Sequence, residues 1–151
     1  MIAVIQRVSH ASVSVGGQVV GSCQKGFAIL LGISNGDGER DADLLCAKIS
    51  KLRIFEDENG KMNKAIDDVG GSCVVVSQFT LMADYSHGNR PSFFDAARPE
   101  IAEPLYQYFC KTLSSLIAGE VQTGIFGADM QYEIHNDGPV TIILDSEKLK
   151  K

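Results

Sequence analysis

The spacing of apolar positions changes several times along this chain, and each change marks an element. Ile2 to Val8 and Ala11 to Val15 read as strands, the second alternating as Ser12-Val13-Ser14-Val15. Gly16-Gly17 is a hairpin signal, after which Gln18 to Ser22 returns. Phe27-Ala28-Ile29-Leu30-Leu31-Gly32-Ile33 is continuously apolar, the pattern of a strand buried on both faces. From Glu39 to Lys51 the positions Ala42, Leu45, Cys46 and Ile49 recur at helical spacing. Arg53-Ile54-Phe55 predicts a short strand and Asp57-Glu58-Asn59-Gly60 a turn. A second helix is predicted from Ile101 or Pro104 to Ile117, with Leu105, Tyr108, Phe109, Leu113 and Leu116 as its apolar face. Val121 to Thr123 predicts a short strand and Gly124 to Ala128 a turn. Met130 to His135 and Val140 to Asp145 read as the two arms of a last hairpin, turned by Asn136-Asp137-Gly138-Pro139. The residues from 146 to 151 look like a charged, solvated tail.

The most informative stretch lies between the helices. Cys73-Val74-Val75-Val76 is a short β-branched run behind Gly70-Gly71, read as a core strand. It ends in Ser77-Gln78-Phe79-Thr80-Leu81. Polar groups at the tip of a buried strand must find partners or line a cavity. Strict alternation would place Gln78 and Thr80 on one side and Ser77 and Phe79 on the other. All four side chains then cannot converge while the strand stays regular. The strand end itself, with its backbone N–H groups beside the Thr80 hydroxyl, is the candidate site. Downstream, Ala83 to Ser92 is a long irregular segment of the kind that often carries function.

Taken together the pattern predicts one α+β domain spanning residues 1–151, strand-rich, with antiparallel and mixed sheets forming a barrel-like core and two main helices. At 151 residues, one core is the natural expectation. The formal net charge of −5 argues against a broad basic surface for sequence-independent nucleic-acid binding, though not against contact with the end of a nucleic acid. Lys48, Lys51, Arg53, Lys61 and Lys64 make the middle region locally basic. The four cysteines form no C-x-x-C pair, and Cys46, Cys73 and Cys110 fall where small buried hydrophobes belong. No leader pattern opens the chain and no apolar run approaches the roughly 20 residues that span a bilayer, so a cytoplasmic protein is expected.

Familiar chemistry is mostly excluded. The three histidines, His10, His87 and His135, are scattered, and none suggests a nucleophilic triad. No His, Cys and carboxylate cluster has metal-ligand spacing, so neither metal nor cofactor is expected. Gly36-Asp37-Gly38 lacks the strand–loop–helix setting of a phosphate-binding loop. Asn136-Asp137-Gly138-Pro139 has two readings. One is a hairpin turn, with Pro139 at the start of the returning strand. The other is a cis Gly–Pro bond aiming its carbonyls at a ligand.

Ser77-Gln78-Phe79-Thr80-Leu81 together with Asn136-Asp137-Gly138-Pro139-Val140-Thr141 closely resembles the paired signatures of the D-aminoacyl-tRNA deacylases. Ile2 to Val8, Gly60 to Asn63, Arg90 to Phe93 and Gly124 to Met130 are similar to that family's other blocks, so the resemblance covers about residues 1 to 145. It implies a homodimeric enzyme that hydrolyses the ester between a D-amino acid, or glycine, and the 3′ adenosine of tRNA. It further implies that Gly138-Pro139 is a cis peptide donated into the partner's active site, rejecting L side chains. Ser77, Gln78, Phe79 and Thr80 are then the catalytic candidates, with Gly138, Pro139, Arg7 and Met130 in substrate binding and chiral selection. Thr80 as nucleophile and a terminal 2′-hydroxyl assisting attack are both open, the second favoured because no neighbouring base activates Thr80. Arg7 is expected to brace the Gly138-Pro139 segment; Met62 joins Met130 as a possible pocket residue. Two rivals stand: an editing enzyme for an L-amino acid, which needs a trans bond, and a non-enzymatic dimeric RNA-binding module.

Overall fold

The computed structural model describes residues 1–151. Strands β1 (Ile2–Val15), β2 (Gln18–Cys23) and β3 (Gly26–Gly32) come first, followed by helix α1 (Glu39–Lys51) and a small hairpin of β4 (Phe55–Glu56) and β5 (Met62–Lys64). Strand β6 (Ser72–Ser77), helix α2 (Pro99–Leu116), β7 (Val121–Thr123) and β8 (Gln131–Asp145) complete the main elements. The main sheet runs β2-β1-β3-β6-β7, with β8 on the other side of β1. Its pairs are antiparallel except β3–β6 and β6–β7, which are parallel. The Ser22 N–H donates to Gln122 Oε1 at 2.9 Å, bringing β2 against β7 and nearly closing the sheet into a barrel.

Two cores result. One lies between the sheet and the helices, with Phe27, Ile29 and Val75 facing Leu45, Ile49, Tyr106 and Phe109. The other is built from strands alone: Val8, Ala11, Val13, Ala28, Val74 and Val76, with Tyr132 and Ile134 against them. β3 and β6 sit between the two, which is why both read as unbroken apolar runs.

The last hairpin is not one. Residues 131 to 145 form a single strand whose two halves both pair with β1, from Ile2↔Asp145 to Ser14↔Gln131. Asn136-Asp137-Gly138-Pro139 is an elbow within that strand, and the Gly138–Pro139 bond is cis. The turn reading fails because β1 is a continuous fourteen-residue partner, able to hold both arms in one ladder. Its outward edge leaves β8 with no second neighbour.

Around the elbow the β1–β8 ribbon turns over. Gln6 pairs with Thr141 and Val8 with Asn136, so the four residues Asp137 to Val140 stand opposite Arg7 alone. Ser9 is likewise skipped between Val8↔Asn136 and His10↔His135. Below these bulges Ala3, Ile5, Ile142 and Leu144 serve the helix-side core. Above them Val8, Ala11, Val13, Tyr132 and Ile134 serve the strand-only core.

Two further expectations are corrected. Helix α2 begins at Pro99, where a missing N–H costs nothing, and runs through Pro104 on its exposed side. Its buried face is Ala102, Tyr106, Phe109, Cys110 and Leu113, while Leu116 is exposed. The tail is docked rather than solvated. Ser146 is fully buried and donates to Asp41 Oδ1 at 2.7 Å, and Lys150 pairs with the same carboxylate at 2.8 Å.

Candidate functional site

β6 ends at Ser77 because the chain leaves the sheet there. Gln78 takes φ −144°, ψ 83°, and Phe79–Met82 closes into a single 3-10 turn. The Leu81 N–H donates to Gln78 O at 3.2 Å, so the N–H groups of Phe79 and Thr80 precede the first bond of that turn. The irregularity removes the constraint that alternation imposed. Ser77, Gln78 and Phe79 all reach one apolar cleft of about 620 Å³, which strict strand geometry would forbid.

Met130 lines the same cleft, with Val76 and Tyr132 beside it, Phe93 and Phe126 as aromatic walls, and Arg98 and Ala102 from the start of α2. Phe79 and Phe93 meet edge to face, ring centroids 5.1 Å apart. Thr80 is exposed just beyond the cleft lining and accepts a hydrogen bond from Gln78 Nε2. Met62 is exposed on β5 and does not line the cleft. Phe93, Phe126, Tyr132 and Arg98 were not singled out from the sequence. The alternation of Met130 and Tyr132 on one strand was the signal for Tyr132, since both must share a face.

Two phenols hold β6 from opposite sides just behind its tip. Tyr106 donates to Val75 O at 2.7 Å from α2, and Tyr132 donates to Val74 O at 2.8 Å from β8. Burial pushes the pKa of both phenols up, which keeps them neutral donors.

Arg7, Gly138 and Pro139 form a second group, outside the cleft of their own chain. Arg7 is buried, and its guanidinium fills the space opposite the elbow. It donates through Nε to Asp137 O at 3.0 Å and through Nη1 to Ile54 O at 2.8 Å. Asn136 Oδ1 accepts from the Val140 N–H at 3.1 Å, closing the elbow from its other end. Asp137, Gly138 and Pro139 themselves point outward and are exposed. Cleft and elbow are therefore two separate features of the chain.

The histidines lie elsewhere. His10 and His135 meet across β1 and β8 with centroids 3.6 Å apart and ring planes tilted by 33°. In the 83–92 loop Ser86 Oγ donates to Asp84 Oδ1 at 2.6 Å and lies 2.9 Å from His87 Nδ1. The serine stands between carboxylate and imidazole, the wrong order for a relay in which histidine takes the serine proton. Asp37, Asp41 and Glu147 do cluster, and there the cations are the Met1 ammonium on Asp37 at 2.8 Å and Lys150 on Asp41 and Glu147.

A mixed sheet nearly closed on itself, two helices on one side and an apolar cleft at the carboxyl end of a parallel strand define a small α+β domain of one particular class. The chain belongs to the D-Tyr-tRNA(Tyr) deacylase family, which it matches over residues 4–145. It is 56% identical to a D-aminoacyl-tRNA deacylase of Bacteroides thetaiotaomicron, covering 95% of this chain and 96% of that one. It is 53% identical to the D-aminoacyl-tRNA deacylase of Porphyromonas gingivalis strain W83, over 97% of both. Among solved structures, one described as a c-Myc DNA Unwinding Element Binding Protein superposes with a TM-score of 0.91 at 43% identity, over 96% of this chain and 98% of that one. Another, described as a probable eukaryotic D-amino acid tRNA deacylase, superposes with a TM-score of 0.81 at 13% identity, over 95% and 97%, and shares the fold.

Proposed function

We propose that this protein is a cytoplasmic D-aminoacyl-tRNA deacylase acting as a homodimer, in which the elbow of each subunit closes the cleft of the other. The observation that carries this reading is the separation of the two groups. The elbow is held by Arg7, is exposed and takes no part in lining the cleft of its own chain, while the cleft at Ser77–Phe79 is open. The unpaired outer edge of β8 offers the surface through which two copies would meet.

The chemistry follows from fixed backbone groups. Arg7 takes the Asp137 carbonyl, and those of Gly138 and Pro139 are left to accept the substrate's α-ammonium. With the ammonium pinned and the ester lying at the strand tip, an L side chain is driven into the elbow backbone. A D side chain points out, and glycine passes because it has none. Selection of this kind excludes the wrong hand without gripping the right side chain, so many D residues are accepted. An aminoacyl ester is already activated, so orientation and oxyanion stabilisation suffice. The N–H groups of Phe79 and Thr80 supply the latter, and the terminal ribose 2′-hydroxyl assists attack. Only the acceptor end is held, which accords with a net charge of −5 and calls for a shallow salt dependence.

The test is hydrolysis of one tRNA charged in turn with a D-amino acid, its L enantiomer and glycine. Release of the D residue and glycine, with the L ester intact, is expected. Release of the L residue at a matching rate would make this an editing enzyme of the other hand, and binding without turnover an RNA-binding module.

A further inference from the structure

Beside the cleft, the structure carries aromatic surface that nothing in the reaction uses. Phe94 is 88% exposed and Tyr85 is 81% exposed, more than any other large hydrophobic side chain in the chain. Neither stands on a loose loop tip. Asp84 and Ser92 exchange two backbone hydrogen bonds of 2.8 and 2.9 Å, which closes the loop immediately before Tyr85 and shortly before Phe94. The Phe94 carbonyl accepts from Asn35 Nδ2 at 2.7 Å, that of Asp95 from Asn35 N–H at 2.9 Å, and the Ala97 N–H donates to Ile33 O at 2.9 Å. The segment is thus stitched to the end of β3, and its aromatic ring is presented to solvent from a fixed base. Phe93, one residue earlier, turns into the cleft against Phe79, so the cleft's aromatic wall continues outward onto this ledge.

Two guanidinium groups accompany the rings. Arg90 lies in the closed loop, exposed and outside the chain's ion pairs. Arg98, at the cleft mouth, has a side chain 84% exposed, and its one ion pair is a long one to Glu100, at 3.9 Å. Exposed aromatic rings that alternate along the segment with arginines (Tyr85, Arg90, Phe94, Arg98), in a chain otherwise acidic, match a single-stranded nucleic acid, whose bases stack on the one and whose phosphates meet the other. A protein-binding patch has no need of that alternation.

We propose that Phe94 and Tyr85 form a stacking ledge for the single-stranded nucleotides that precede the esterified adenosine of the tRNA. This rests on the deacylase reading and extends it: the cleft takes the terminal nucleoside, and the ledge takes the strand that leads to it. The ledge contributes to binding alone, because it touches neither the ester nor the backbone groups around it.

The experiment compares wild type with Phe94→Ser, Tyr85→Ser and the double variant on two substrates, a D-aminoacyl-tRNA and the same D-aminoacyl ester of adenosine alone. Both positions are exposed, so the variants are expected to fold with unchanged melting temperature. On the tRNA each single variant should raise KM about tenfold, with kcat within about twofold. On the adenosine ester nothing should change. An unmoved KM on tRNA overturns the proposal, as does an equal loss on both substrates, which would put the residues in the nucleoside pocket. A change of oligomeric state in Phe94→Ser also overturns it, by assigning the ring to a second copy of the chain. Binding of a short ribo-oligonucleotide ending in C-C-A, followed by anisotropy, tests the ledge independently of turnover. Weaker binding by the variants supports the ledge even if wild type cleaves no D-aminoacyl ester, in which case the deacylase reading alone fails; equal or no binding sinks the ledge.

Discussion

A methyl group added to Gly138 would stand 3.0 Å from Arg7 Nη2 and 2.9 Å from a Val140 methyl, at a backbone φ of +128°. Gly138 and Arg7 are therefore closely packed: any side chain here would crowd the guanidinium that holds the elbow as well as Val140, at a backbone angle that L residues rarely adopt. Gly138→Ala should destabilise the fold by about 1–3 kcal/mol and lower kcat/KM more than tenfold. Arg7→Lys keeps the charge but cannot reach Asp137 O and Ile54 O together, so activity should fall with only a few degrees lost in Tm. Steady-state kinetics beside thermal melts check both. An Arg7→Lys enzyme with wild-type kcat/KM would show that the elbow is held by something else.

Thr80 offers a hydroxyl at the site mouth that is engaged only by Gln78, itself neutral and unable to take a proton. Thr80→Ala should keep kcat within about threefold of wild type. A tRNA ending in 2′-deoxyadenosine should be cleaved about a hundredfold more slowly or worse. Single-turnover rates on the two substrates separate the roles, and the opposite pattern would make Thr80 the nucleophile.

Asp41 joins the start of α1 to the docked tail. Burial opposes its ionisation, but hydrogen bonds from Lys150, Ser146 and the Gly38 N–H outweigh it and hold the carboxyl at about 2. A folded-state pKa below the unfolded one stabilises the protein above the unfolded value of about 4. That contribution disappears as pH falls from about 4 toward 2. It is worth about 2 kcal/mol at neutral pH. Asp41→Asn should melt lower than wild type at pH 7, and the gap should close near pH 2. Melting curves across that range decide it, and a gap independent of pH would show that charge is not the cause.

All four thiols are buried and unpaired by disulfides. Desolvation raises the pKa of each, that of Cys110 to about 12. The thiolate is the reactive form, so the native protein should be inert to a thiol reagent at pH 8 and should release four equivalents only on unfolding. Rapid titration of even one equivalent in the native state would place a cysteine nearer the surface.

The elements with a clean period were legible in the sequence. α1 and the double-sided β3 and β6 stand where their apolar spacing put them, because each is fixed by local pattern and burial alone. The site was half legible. Ser77, Gln78, Phe79 and Met130 do meet, but through a break into a 3-10 turn that no alternation rule contains. Local turn chemistry leaves the elbow open between a hairpin turn and a cis Gly–Pro bond, since Asn-Asp-Gly-Pro suits either setting. The resemblance pointed to the cis bond, which the structure has, but the hairpin expected around it is absent. What decided it was a partner more than a hundred residues away along the chain, pairing with both arms. Ser146 was likewise invisible: a serine in a charged tail gives no hint that it will be buried against Asp41.

The overturned ribbon gives the elbow a second tenancy. Straightening it would leave Ile142 and Leu144, or else Tyr132 and Ile134, facing water, because the two halves of β8 must look toward different interiors. Substitutions that relax the bend would therefore be removed for misfolding before any change at the exposed face of the elbow could be felt. If the elbow guards against the wrong hand, as proposed above, that guard is written into the architecture, and drift cannot erase one without dismantling the other.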